Sequence, residues 1–189
     1  MKKVNLVLVF GLVAVLSLAG CTLSTLFGST TAITGSGKMV TETRQVSGFN
    51  GVVLAAAGKM NIIQGDKEGL TITGDDNILA LIKTEVRDGK LVIEFERPNI
   101  SINSMAGITY NLTVVKLTSL QISGAGDITA ANMKTESFTV VVSGAGNITI
   151  AGETGAQIIT LSGAGNYSAA DFKSQSVKVT ISGAGNATV

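Results

Sequence analysis

Ser123-Gly124-Ala125-Gly126-Asp127 is the first of four near-identical pentapeptides. The others are Ser143-Gly144-Ala145-Gly146-Asn147, Ser162-Gly163-Ala164-Gly165-Asn166 and Ser182-Gly183-Ala184-Gly185-Asn186. Their starts lie 20, 19 and 20 residues apart. Recurrence at that period signals stacked units rather than one mixed core. One residue before each Ser stand Ile122, Val142, Leu161 and Ile181, and three before it Leu120, Val140, Ile159 and Val179. Five and seven after it stand Ile128 and Ala130, Ile148 and Ile150, Tyr167 and Ala169, Ala187 and Val189. Period-two alternation on both sides of a Gly-rich break predicts strand, tight corner, strand, with one face buried. Each unit cannot bury that face alone, so units must stack. The fold that fits is all-β, a parallel β-helix or β-solenoid with coils of about 20 residues.

Stacking places equivalent residues about 4.8 Å above one another. Ser123, Ser143, Ser162 and Ser182 then form one file, and Asp127, Asn147, Asn166 and Asn186 a polar ladder. Gly and Asn are turn chemistry first, so the plain reading is a ladder of turns. The sharper reading makes the same stripe a ligand-facing surface. Phosphate cradling is excluded, because no Gly-x-Gly-x-x-Gly is completed and no helical pattern follows. Gly35-Ser36-Gly37-Lys38 fails as a phosphate loop too, with Ala32 in place of the first Gly and Met39 in place of Ser or Thr.

The 189 residues suffice for one domain and an export segment. Aromatic residues make up 4% and charged residues 14%, against 23 glycines, which suits a close-packed β stack. Net charge is +1, and without residues 1–20 it falls to −1. No basic face is implied, so nucleic acid is not an expected partner. One Cys excludes an internal disulfide, and the absence of His removes the commonest general base and metal ligand. The expectation is a protein that is not an enzyme and needs no cofactor or metal.

Lys2 and Lys3 precede the apolar run Val4–Leu18, the pattern of a secretory signal over 1–20. It ends Leu18-Ala19-Gly20-Cys21, which resembles the bacterial lipobox, where the Cys becomes the acylated N-terminus. Cys21 is the expected lipidation site, with several acyl chains enough to hold a protein at a membrane. The localisation that follows is the bacterial cell envelope, at the outer membrane if the cell has two. Residues 21–37, rich in Ser, Thr and Gly, read as a tether, and 38–189 as the β-helix domain.

Within that domain the early coils look degraded. Val52 and Leu54, then Ala55-Ala56-Ala57-Gly58, then Met60 and Ile62 match the later spacing. Thr73-Gly74-Asp75-Asp76-Asn77-Ile78 aligns with a second corner, and Pro98-Asn99 with a third. Leu79–Val86 reads as a helical turn or bulged loop, and Asp88-Gly89 as a turn into strand 91–95. Residues 103–107 read as a loop before a strand over 108–115. The chain stops at Val189 just after a corner, which reads as a fragment or as a last coil with an open edge, compatible with an oligomer.

The stretch from Gly37 to Val52, with Ile63-Gln64-Gly65, Thr73–Ile78 and the Ser-Gly-Ala-Gly repeats, resembles the head GIN domain family, described as putative auto-transporter adhesins. The resemblance spans about Gly35 to Val189. It implies a right-handed β-helix-like fold on secreted or lipid-anchored envelope proteins, and it carries no catalytic residues.

Asp75 and Asp76 form an adjacent acidic pair, with Asp66 and Glu68 nearby in sequence. They suit calcium or carbohydrate chemistry, yet calcium needs six or more oxygens and no ligand-spaced loop is visible. Glu94 and Glu96 share an exposed strand face. Lys134, Lys173 and Lys178 are too scattered for a basic stripe. Tyr110 and Tyr167 suit sugar stacking or core filling, and Tyr167 takes an inward repeat position. The leading expectation is a lipid-anchored, non-enzymatic adhesion or scaffold surface that binds glycan or an envelope protein. The alternatives are a polysaccharide-active enzyme and a component of an envelope-stress sensor.

Overall fold

The computed structural model describes residues 31–189. The expected signal, Cys21 and the first part of the tether lie outside the described residues. The chain runs β1 (Thr31–Thr34), β2 (Met39–Arg44), β3 (Gly51–Leu54), β4 (Gly58–Gln64), β5 (Gly69–Asp75), a one-turn helix α1 (Asp76–Leu79), β6 (Ile82–Arg87) and β7 (Lys90–Phe95). It continues through β8 (Ile100–Asn103), β9 (Thr109–Val114), β10 (Ser119–Ile122), β11 (Gly126–Val142), β12 (Ile148–Leu161), β13 (Tyr167–Ile181) and β14 (Ala187–Thr188). Thr31–Thr34, grouped with the tether on composition, are strand and pair with β8 in a small separate sheet.

The other twelve strands form one sheet, and its pairing overturns the parallel β-helix expectation. The fold is all-β, but the sheet mixes parallel and antiparallel strands and wraps into a nearly closed barrel. The order is β2-β5-β9-β4-β11-β10-β3-β7-β6, with β12, β13 and β14 continuing from β11. Three pairings are antiparallel: β2 with β5, β5 with β9, and β6 with β7. The bend comes at β11, whose first half pairs with β4 and whose last residues pair with β10.

Local chemistry accounts for the departure. Asp88 and Gly89 both take positive φ, 50° and 70°, the conformation of a two-residue hairpin turn that can only join antiparallel neighbours. Thr73–Asp75 are the end of antiparallel β5 rather than a corner, and α1 begins at Asp76. Pro98-Asn99 does not start a coil either. Asn99 has φ 59°, and β8 beyond it leaves the large sheet for β1.

The repeats themselves pair in parallel and in register. Leu120, Val140, Ile159 and Val179 stand in one file across β10 to β13. The file extends back to Val52 in β3 and Leu91 in β7. On the other wall Met60, Ile128, Ile148 and Tyr167 align, with Tyr110 of β9 beyond Met60. Alternate residues on these strands are buried between the walls, and Phe138 meets Phe172 edge-on with ring centroids 5.7 Å apart. Burial of each such apolar side chain contributes roughly 1.5–3 kcal/mol, so the continuous core is the main stabilising force.

The corners work because nothing protrudes from them. A Cβ on Gly144 would overlap the Gly124 carbonyl oxygen below, and one on Gly146 the Gly126 carbonyl oxygen. The same overlap holds for Gly163 and Gly165, and for Gly183 and Gly185. Close approach of backbone to backbone is what glycine provides here.

Candidate binding face

The outward residues of one wall form two rows across eight strands. Register aligns Thr43, Thr71, Asn111, Asn61, Thr129, Thr149, Ser168 and Thr188 in the first row. The second row holds Thr41, Thr73, Thr109, Lys59 and Asp127, continued at the corner edge by Asn147, Asn166 and Asn186. Eight strands at about 4.8 Å span roughly 34 Å. The apolar alternates of these strands point inward, which leaves Thr, Asn and Ser as the solvent side.

Neighbours in the rows hold one another. The hydroxyls of Thr41 and Thr73 share a hydrogen bond of 2.8 Å, and Asn61 Nδ2 donates to Asn111 Oδ1 at 3.0 Å. Asn147 donates its backbone N–H and its Nδ2 to Asp127 Oδ1, at 3.1 and 2.8 Å. Asn166 does the same to Asn147 Oδ1, at 3.3 and 2.9 Å, and Asn186 to Asn166 Oδ1, at 3.2 and 3.3 Å. Each rung therefore orients the amide of the next. Ordered side chains lose less freedom when a ligand binds, which favours recognition over a set of free rotors.

Ser143, Ser162 and Ser182 donate their backbone N–H to the rung below, each at 2.9 Å, and Ser123 does so to Leu54 O at 3.0 Å. Ser143 Oγ bonds Ile122 O at 3.3 Å. All four serines are exposed. A groove lies beside the ladder, lined by Gly58, Lys59, Thr109, Gly126 and Asp127 among others.

The acidic candidates are placed differently. Asp75 is buried and accepts from Gly37 N–H at 2.6 Å and Ser104 Oγ at 2.5 Å. Asp76 accepts from Ser36 Oγ at 2.6 Å and pairs with Lys38 at 3.2 Å, and these contacts hold its carboxyl below the usual range, the Ser36 bond most of all. Glu68 caps the N–H groups of Gly48 and Phe49. These carboxylates brace turns. Among the described residues no group of three or more acidic or Cys side chains is arranged to hold a metal. A second groove does hold Glu94, Glu96 and Arg97 beside Ala55–Ala57 and Gly124, with Glu94 bonded to Arg87. Tyr110 and Tyr167 are both buried, so neither ring offers a stacking face, and burial pushes both phenols up.

The sequence pattern of the family described as "Putative auto-transporter adhesin, head GIN domain" matches residues 48–189. The chain belongs to the head GIN domain family. This head GIN domain shares its fold with a crystal structure described as a putative adhesin from Bacteroides fragilis NCTC 9343. Identity is 22%, the TM-score 0.67, and the match covers 82% of this chain and 81% of that one. A structure described as a putative lipid binding protein from Parabacteroides distasonis ATCC 8503 is 14% identical with a TM-score of 0.54, over 84% of this chain and 100% of that one. A putative adhesin from the same organism is 17% identical with a TM-score of 0.50, over 83% and 84%. No curated protein matches the chain. Among the described residues no helix is long and apolar enough to cross a membrane.

The repeats account for the far half of the face. The near half, Thr41, Thr43, Thr71, Thr73, Thr109 and Asn111, lies outside the repeats, and Thr73 stands in a strand rather than at the corner expected of it. Its signal was present as Thr or Asn alternating with Leu, Ile and Tyr in β5 and β9.

Proposed function

We propose that the chain is an envelope protein anchored through lipid on Cys21, and that its polar wall is a non-enzymatic adhesion surface for glycan or protein. The observation that carries this reading is the pair of outward Thr, Asn and Ser rows across eight strands, hydrogen-bonded at Thr41–Thr73, at Asn61–Asn111 and along Asp127–Asn147–Asn166–Asn186. Such a wall offers donors and acceptors at fixed spacing over an area suited to an extended ligand. The Lys59–Asp127 groove adds one cationic and one anionic group where such a ligand would settle.

The test pairs glycan arrays and envelope pull-downs of the wild type with an Asn61→Arg/Thr149→Arg variant. Binding by the wild type and its loss in the variant support the reading. No binding by the wild type, beside normal adhesion of a deletion strain, overturns it. Mass spectrometry of the mature chain tests the anchor: diacyl or triacyl mass on Cys21 supports it, and a free Cys21 thiol overturns it.

The groove with Glu94, Glu96 and Arg97 favours one second reading, a polysaccharide-active enzyme. Glycan turnover abolished by Glu96→Gln would establish that reading. Turnover unchanged by Glu96→Gln, or none at all, removes it.

A further inference from the structure

Asp75 is the one buried carboxylate among the described residues, 3% exposed. By register it continues the outward row of Thr71 and Thr73 on β5, opposite Met39 of β2, so its side chain leaves the core. Its cover comes from outside, where the β1–β2 turn and the turn after β8 fold over it. Gly37 N–H donates to Oδ1 at 2.6 Å, and Ser104 Oγ donates to Oδ2 at 2.5 Å. Ser104 Oγ in turn accepts from Gly107 N–H at 3.1 Å, which directs its own hydrogen to Asp75. Both partners are donors, so the group acts as an acceptor at each oxygen, as a carboxylate does.

That charge has no cation beside it. Among the described residues no ion pair includes Asp75, and Lys38 of the same turn is taken by Asp76 at 3.2 Å. A carboxylate offers about four lone-pair positions, and two hydrogen bonds leave the others unused. Burying an unpaired charge is costly, so an uncompensated carboxylate in a cavity wall points to a ligand that compensates it.

The cavity is there. Asp75 lines a pocket of about 410 Å³, within the size range of small-ligand sites. The pocket is more enclosed than the grooves at Lys59 and Glu96. Exposed Met39 and Met105 make its mouth apolar, and among the described residues no aromatic ring lines it. A Cβ on Gly35 would overlap Asp75 Oδ2, so only glycine fits beside that oxygen.

We propose that this pocket binds a primary alkylammonium, its N–H groups on the unused acceptor positions of Asp75 and its stem against Met39 and Met105. A primary ammonium brings three donors, and a carboxylate accepts them with charge-assisted strength. Thioether side chains are flexible and adapt to an alkyl stem. A quaternary ammonium brings no donor and is held by aromatic faces, which are missing here. Calcium needs six or more oxygens, and Asp75 is the one acid in the lining. The site does not depend on the polar wall being adhesive. Its ligand chemistry is shared by free alkylamines and by the ethanolamine headgroup of lipids.

The test is an NMR titration of the ¹⁵N-labelled full chain at pH 7 and fixed ionic strength. The probes are butylammonium, glycerophosphoethanolamine (the soluble lipid headgroup) and choline. Butylammonium or the headgroup is expected to saturate with a constant on the order of 1 mM, and choline to bind at least tenfold more weakly. Tighter binding of butylammonium assigns the site to free amines, and tighter binding of glycerophosphoethanolamine assigns it to the headgroup. Asp75→Asn keeps an oxygen for Gly37 N–H but loses the charge, and is expected to weaken binding at least tenfold. The wild-type titration carries a readout that needs no variant: the shifts should centre on Gly35, Gly37, Ser104 and Gly107. Shifts centred elsewhere, equal binding of choline, binding unchanged in Asp75→Asn, or no saturation of either primary amine below about 20 mM each overturn the proposal.

Discussion

Tyr167 donates its hydroxyl to Gln157 Oε1 at 2.7 Å, ten residues away in sequence and one rung away in space, with both side chains closed to solvent. Gln157 Nε2 reaches Phe172 O at 3.4 Å, so the buried amide is engaged at both ends. This small polar network interrupts an otherwise apolar core and fixes how β12 and β13 sit together. A polar group left inside without its partner costs about 1–3 kcal/mol. Tyr167→Phe is therefore expected to destabilise the domain by about that amount in chemical denaturation. Adding Gln157→Leu should recover part of the loss, because the orphaned amide is then gone. A double mutant less stable than Tyr167→Phe by the full cost of Gln157→Leu alone would show that the two residues do not couple.

The glycines differ sharply in how much they matter. A Cβ at Gly146 meets the Gly126 backbone, which cannot move without shifting a whole rung. Gly146→Ala is expected to cost about 2–4 kcal/mol, at or above the usual range for overpacking. Gly69 in β5 is the contrast, with no atom within 4 Å of an added Cβ and no positive φ. Gly69→Ala should be neutral or stabilise by up to about 1 kcal/mol through the unfolded chain. Thermal melts of the two variants make the comparison, and equal melting points would contradict it.

How much of this was legible follows from where the repeat holds. Leu120, Val140, Ile159 and Val179 recur at fixed offsets from a glycine corner, so their file could be read directly from spacing. Val52 joins that file, and Leu54 the neighbouring file of Ile122, Val142 and Leu161, for the same reason. In the first half the decisive information was two-residue turn chemistry and not period. Asp88-Gly89 reads as a turn in the sequence, and with positive φ at both residues it folds β7 back antiparallel on β6, an arrangement that the coil period does not encode. Thr73–Ile78 resembles a corner in composition, yet Thr73, Gly74 and Asp75 stay in the strand through antiparallel bonding to β2. The candidate site was half legible for the same reason: its far rows repeat, while its near rows lie on strands whose order no local pattern encodes.

The ladder makes a prediction that separates hydrogen bonding from charge. Asn147 sits in its middle, giving to Asp127 and receiving from Asn166. Asn147→Ala breaks both side-chain links and is expected to cost about 1–2 kcal/mol, at solvent-exposed strength. Asn147→Asp keeps the shape but sets a carboxylate beside Asp127 in place of a donor. It should be worse than Ala at low salt, and the gap should close as salt is raised to about 0.5 M. A gap indifferent to salt would mean that geometry, not charge, sets the cost.

Asp76 predicts a pH response at the opposite end of the domain. Its carboxylate takes the Ser36 hydroxyl at 2.6 Å and the Asn77 N–H at 2.7 Å, and it pairs with Lys38 at 3.2 Å. These contacts favour the charged form, and the carboxyl is held below its ordinary value of 3.8. A depressed folded-state value means the stabilising contribution is complete above 3.8 and is lost as pH falls through the lower folded value. The turn joining β1 to β2 should therefore stay fastened to α1 throughout the neutral and mildly acidic range and release at a pH below 3.8. Amide shifts of Ser36 and Asn77, followed by NMR, are expected to titrate with a midpoint below 3.8 and to lose that titration in Asp76→Asn. A midpoint at or above 3.8, or a titration that survives Asp76→Asn, would show that the carboxylate does not hold this turn.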